Sequence, residues 1–166
     1  TMKVALCAER FTVFDGILLT MNDNAGFREH AHTADWELEV WAADLPGLLE
    51  QAARGMYALS GTRLKTAPRQ ARRLSVDGLD AESLLVRFLS ELLWLGEKEN
   101  VAFDFYDLPV SGEAGVIDLH KRLHLDAQLE GAGIAGLAKE IKAVTYHNLA
   151  VQQTGNGLEA RIVFDV

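Results

Sequence analysis

The sequence predicts an α+β fold, a two-layer sandwich of a mostly antiparallel sheet with two main amphipathic helices. Three observations lead there. Two stretches, opening near Leu45 and Leu84, carry apolar residues at helical spacing behind an aspartate in the N-cap position. Several short segments alternate apolar and polar residues with a period of two. The last of them are joined by Gly155-Asn156-Gly157, a hairpin turn that makes its strands antiparallel.

Taken in order, the apolar patch from Phe11 to Leu19 is broken by Asp15-Gly16, which reads as a turn between two short strands. Met21 to Gly26 is rich in turn formers and reads as a linker. It divides the chain into an N-terminal extension, residues 1–26, and one main domain, residues 27–166. Trp36, Leu38, Val40 and Ala42 share one face of a half-buried strand, with Glu37 and Glu39 on the other. Asp44 then caps a helix with Pro46 in its first turn, Leu48, Leu49, Ala52 and Met56 on its apolar stripe, and Gly61 at its end. Gly47 and Gly55 weaken that helix, so packing must hold it. A strand follows near Arg72–Val76, and Asp77-Gly78 reads as a turn. Asp80 opens the second helix, whose stripe is Leu84, Leu85, Phe88, Leu89, Leu92 and Leu93.

Val101, Phe103 and Phe105 mark a strand. Ile117, Leu119, Leu123 and Leu125 mark one face of another, with His120, Arg122, His124 and Asp126 opposite, and Gly131 and Gly133 break it. A short helix is expected over Ile134–Ile141, then the closing hairpin of Asn148–Thr154 and Leu158–Val166.

A chain of 166 residues fits one domain and should bury roughly two-thirds of its unfolded surface, so it needs no disulfide or metal merely to fold. Cys7 is the single cysteine, which excludes an intrachain disulfide and a structural Cys-zinc site, and points to a reducing, cytoplasmic setting. Cys7 itself reads as a small apolar residue in an N-terminal strand. No run approaches the ~20 apolar residues of a membrane span, and Glu9 and Arg10 end the opening stretch too soon for a signal peptide. The net charge of −8 and pI near 5.1 make a poor stand-alone nucleic-acid binder. The basic cluster of Arg63, Lys65, Arg69, Arg72 and Arg73 lacks interleaved aromatics and reads as a solvated loop and strand face. Surplus carboxylates suit a cation or a basic protein partner better.

Two polar clusters and one end of the chain are candidates for chemistry. His30-Ala31-His32-Thr33-Ala34-Asp35 has the composition of a zinc hydrolase site, in which His30, His32 and Asp35 would hold the ion around an activated water. The competing reading is a turn in which Thr33 and Asp35 bond backbone amides. Lys142-Ala143-Val144-Thr145-Tyr146-His147 mixes a cation, a hydroxyl, a phenol and an imidazole just before the last hairpin, and its spacing alone reads as a strand start. The closing Ile162-Val163-Phe164-Asp165-Val166 is a strand that places Asp165 beside the carboxylate of Val166. Two anionic groups on an ordered strand repel unless a cation or proton joins them, and an all-oxygen site suits Ca²⁺, Mg²⁺ or Mn²⁺ over zinc. A frayed, solvated terminus is the alternative.

In combination these segments resemble the archease family. The resemblance rests on His32-Thr33-Ala34-Asp35, the helix from Leu48 to Met56, Leu84-Leu85 with Glu91-Leu92-Leu93, Lys142 to His147, and the closing Val163-Phe164-Asp165-Val166. These occur in the family's order across residues 27–166. The resemblance implies nested strand-helix-strand-strand modules and a protein cofactor, not an enzyme, for the RtcB-type RNA ligase of tRNA splicing and RNA repair. It would promote the metal-dependent guanylylation that reloads the ligase for multiple turnover. It further implies a divalent-cation site, Ca²⁺ first with Mg²⁺ or Mn²⁺ as alternatives, whose ligands by position are Asp35, Asp165 and Val166. His32, Lys142 and His147 would lie beside it in unassigned roles. Neither stable nucleic-acid binding nor a membrane is implied. Two other function classes stand against this one: the zinc hydrolase of His30, His32 and Asp35, and a general chaperone or small-molecule-binding module.

Overall fold

In the computed structural model, which describes residues 11–14, 17–20, 24–31 and 35–166, both helices form where their capping residues place them. Helix α1 (Leu45–Ser60) begins behind Asp44, whose carboxylate accepts the Gly47 N–H at 2.8 Å, and stops at Gly61 with a left-handed φ of 61°. Helix α2 (Ala81–Glu99) opens with a capping box: Asp80 accepts the Ser83 N–H at 2.8 Å, and Ser83 Oγ accepts the Asp80 N–H at 3.1 Å. Each helix buries its leucine stripe completely, Leu48 and Leu49 in α1, Leu84, Leu85, Phe88 and Leu92 in α2.

The strands are β1 (Phe11–Phe14), β2 (Ile17–Thr20), β3 (Gly26–Ala31), β4 (Trp36–Ala42), β5 (Arg63–Gly78), β6 (Val101–Asp107), β7 (Val110–Gly112), β8 (Leu123–Gly136), β9 (Ala143–Val144), β10 (Gln152–Thr154) and β11 (Gly157–Asp165). Every pairing among them is antiparallel. They sort into a β1–β2 hairpin, one sheet ordered β10-β11-β4-β3 with β9 also on β11, and a second ordered β5-β8-β6 with β7 also on β8. The α+β class with antiparallel sheets is therefore as the patterning predicts. Leu38, Val40, Ile162 and Phe164 face the helices from the first sheet, and Leu125, Ala127 and Leu129 from the second, in one continuous core. Among the described residues no helix is long and apolar enough to cross a membrane.

Five details depart from the sequence reading. The first strand of the main domain is β3, not β4; only Phe27 of its apolar side reaches the core, so Arg28, Glu29 and His30 hide the alternation. Strand β5 runs from Arg63 through Gly78, far beyond Arg72–Val76, because most of its side chains are exposed and carry no hydrophobic signal. Strand β8 passes through Gly131 instead of breaking there. A Cβ at Gly131 would stand 1.8 Å from the Ala102 carbonyl oxygen, so glycine lets β6 approach beside the bulge at Phe103–Phe105. Residues 117–122 are not strand, since Asp118 takes the His120 N–H at 3.0 Å and turns the chain. Nor is Ile134–Ile141 helical: the Ala138 and Lys139 amides both bond the Ser60 carbonyl at the end of α1, at 2.9 and 3.1 Å.

Candidate functional site

The polar residues singled out at the two ends of the main domain meet along β11. This strand lies inside its sheet, between β4 on one edge and β10 and β9 on the other. The β4–β11 register runs from Ala42↔Leu158 to Trp36↔Phe164, so Asp35 and Asp165 are the chain neighbours of the last paired residues. Both aspartates are exposed, while Phe164 is fully buried and Trp36 half-buried on the opposite side of the strands. The other edge of β11 is closed by Phe164↔Val144 and Asp165↔Ala143. There the Lys142 N–H donates to the Asp165 carbonyl at 2.8 Å, and the Thr145 N–H and hydroxyl both donate to the Val163 carbonyl, at 3.0 and 2.9 Å. The Lys142 ammonium donates to the Val166 main-chain oxygen at 3.3 Å.

Sequence positions 35, 142 and 165–166 thus converge through strand pairing alone. The donors offered are carboxylates and a main-chain oxygen, hard ligands that suit Ca²⁺, Mg²⁺ or Mn²⁺ and not zinc. Among the described residues no three His, Cys, Asp or Glu side chains stand together as a preformed ion cage. A cation here would draw on two carboxylates and main-chain oxygen, completed by water as is usual for these metals. His32 and Thr33 lie outside the described residues, as does Cys7. His147 is exposed; its N–H meets Thr145 Oγ1 at 3.3 Å and its ring meets Asn148 at 3.2 Å.

His30 does not join Asp35. It sits within β3, where its Nε2 meets Glu39 Oε2 at 2.8 Å. That hydrogen bond, with Arg161 and Arg28 behind it, holds the Glu39 carboxyl below the usual carboxylate range. An imidazole committed to a neighbouring glutamate is not poised as a zinc ligand, and the hydrolase reading of His30, His32 and Asp35 is not favoured.

Three features were not visible in the sequence. Lys139 Nζ stands 4.0 Å from the centre of the Trp36 ring, a cation–π contact tying the 137–142 segment to the start of β4. Beside that segment lies a cavity of about 640 Å³, lined by Met56, Trp94, Leu137, Ile141 and Val144 among others. On the outer face of β5 and β8, Ser75, His124 and Asp77 stand in the order of a hydrolase triad: Ser75 Oγ to His124 Nε2 is 3.3 Å and His124 Nδ1 to Asp77 is 2.8 Å. Asp126 spoils it. It meets His124 Nε2 at 3.2 Å and so competes with Ser75 for that nitrogen, and the two carboxylates raise the imidazole pKa. Only the strand register brings these four together, so no spacing in the sequence announces them. The basic cluster on β5 is likewise partly spent within the protein: Arg69 forms a bidentate pair with Asp104 and Arg72 pairs with Glu99.

A family model described as the Archease protein family matches residues 27–166. The chain belongs to the archease family. Archease of Methanosarcina barkeri is 32% identical over 138 residues, covering 81% of this chain and 92% of that one. Archease of Sulfurisphaera tokodaii is 26% identical over 144 residues, covering 84% and 98%. Among solved structures, a Methanobacterium thermoautotrophicum protein superposes with a TM-score of 0.65 at 26% identity, over 85% of this chain and 99% of that one. An archease and possible chaperone of Thermotoga maritima superposes at 0.55 with 20% identity, over 83% and 94%, and attests the archease fold alone.

Proposed function

We propose that this archease is a protein activator of an RtcB-type RNA ligase, promoting metal-dependent guanylylation and repeated turnover in tRNA splicing or RNA repair, and that it works through a divalent-cation site at Asp35, Asp165 and Val166. The observation that supports the reading is the β4–β11 register, whose last pair, Trp36↔Phe164, brings together the residues adjoining Asp35 and Asp165 from opposite ends of the domain. Two like charges directly opposite one another are unfavourable on a sheet unless something neutralises them, and a cation does so. Family membership supports the ligase as partner. The net charge of −8 favours a basic protein over direct RNA contact.

When bound, a divalent ion supplies positive charge for phosphoryl oxygens at the partner's reaction centre. The chain's own part is to present oxygen donors on a rigid strand end: Asp165 pairs with Ala143 on one edge of β11, Phe164 pairs with Trp36 on the other, and Trp36, packed on the core side, fixes the backbone beside Asp35. Residues 27–166 form the working unit, residues 1–26 an extension, and the setting is the reducing cytoplasm.

The test is a multiple-turnover RNA-ligation assay with the cognate ligase. Wild-type protein should raise the number of ligations per enzyme, whereas Asp35→Ala and Asp165→Ala should fail to do so while keeping wild-type circular dichroism. Full stimulation by either variant overturns the site. A chaperone would instead protect an unrelated aggregating client equally well with Asp165→Ala.

A further inference from the structure

Lys142 has no part in the cation reading as it stands, yet the fold fixes it with care. Its N–H is bonded to the Asp165 carbonyl, the next residue pairs with Asp165, and Thr145 makes two bonds to the Val163 carbonyl. The Lys142 side chain therefore starts from an immobile root at the end of β11. A lysine on an exposed surface has considerable rotamer freedom to lose, and this one is held against a single main-chain oxygen of Val166 at 3.3 Å. That oxygen is the one main-chain donor the cation site needs. An oxygen lone pair engaged by an ammonium is not free for a metal ion, and the field of Asp35 and Asp165 favours whichever cation is at hand.

We infer that Lys142 is a built-in placeholder cation: its ammonium sits on the Val166 oxygen in the ion-free protein, and a divalent ion binds there against its charge. The inference rests on the proposed Asp35–Asp165–Val166 site. It gives that site a weak, exchangeable affinity by construction. The ion-free protein keeps its carboxylates partly neutralised, and an arriving ion works against a lysine that remains tethered nearby. The ammonium then stands beside the ion as a second positive group.

The experiment is isothermal titration of the full chain with Ca²⁺ and with Mn²⁺ at low ionic strength, for wild type, Lys142→Met, Lys142→Gln, Lys142→Arg and Asp165→Asn. Removing a unit positive charge a few ångströms from a divalent ion should tighten binding about tenfold in Lys142→Met and Lys142→Gln, and added salt should shrink the gain. Lys142→Arg, which keeps the charge, should bind as wild type does, and Asp165→Asn should lose binding. Affinity that is unchanged or weaker in both neutral variants, with Asp165→Asn still losing the ion, overturns the placeholder and leaves the site standing. Wild-type affinity in Asp165→Asn removes the site and the placeholder together.

Discussion

Replacing Asp165 with asparagine should stabilise the protein in the absence of divalent cations and destabilise it in their presence. Asp35 and Asp165 adjoin Trp36↔Phe164, the last β4–β11 pair, and would face one another if the pairing ran one step further. Directly opposed residues on an antiparallel pair have Cβ atoms roughly 4.5–5.5 Å apart, and like charges there cost about 0.2–1 kcal/mol. Both aspartates are exposed and Lys142 lies close by, so the low half of that range applies. Asparagine keeps the shape and removes the repulsion, a gain of about 0.5 kcal/mol, or roughly 1–2 °C for a domain of this size. An ion at one hundred times its dissociation constant stabilises the native wild type by about 2.7 kcal/mol, roughly 5–10 °C, and the variant should forfeit nearly all of it. Thermal unfolding followed by circular dichroism, in EDTA and then in millimolar Ca²⁺ or Mn²⁺, gives both readings on the same samples. The two proteins should exchange rank between the two conditions. A variant that melts below wild type in EDTA and still gains the full metal-dependent shift would show that Asp165 serves the fold and not a cation.

Two further predictions concern stability. Asp77 and Asp126 hydrogen bonds raise the His124 pKa above its ordinary value, so the stabilisation is complete below the unfolded value near 6.5 and is lost as pH rises through the raised native one. The urea midpoint of wild type over His124→Gln should therefore be largest below the unfolded imidazole value and shrink as pH rises above it; a gap widening with pH would refute the clamp. Gly131→Ala forces a Cβ to 1.8 Å from the Ala102 carbonyl and must part β6 from β8, costing about 3 kcal/mol by urea denaturation. Gly155→Ala, with nothing within 4 Å, should stay within about 0.5 kcal/mol of wild type, and equal losses at the two positions would defeat the argument.

How far the sequence reveals this molecule depends on whether a residue's role is local. Asp44, Gly61 and Asp80 act within a few residues of themselves, and the helices they bound are where their patterns put them. The closing hairpin is similarly local, with β10 and β11 meeting at Thr154↔Gly157. Strand β5 is longer than its pattern suggests because its exposed, cation-rich residues look like a loop; its strand character comes from β8, whose paired residues run from Gly78↔Leu123 to Arg63↔Gly136. Gly131 looks like a break by composition and is a point of close approach by packing. The site lies at the far end of this scale. Nothing in the local chemistry of His32-Thr33-Ala34-Asp35 selects Asp165 as partner; the archease resemblance implies that pair, and the β4–β11 register brings their neighbours Trp36 and Phe164 together. His30, by contrast, stands next to the motif in sequence and in space serves Glu39.

Strand β11 is the last strand of the chain yet lies in the interior of its sheet, between β4 and the β9–β10 edge. A chain that has folded everything before it still holds a sheet with its middle missing, and none of the pairings that bring position 35 to position 165 exist. The slow, long-range closure of that gap comes last in sequence and carries Asp165 and Val166 with it. The pairing of β11 with β4 and β9 is thus the condition on which the surroundings of Asp165 depend.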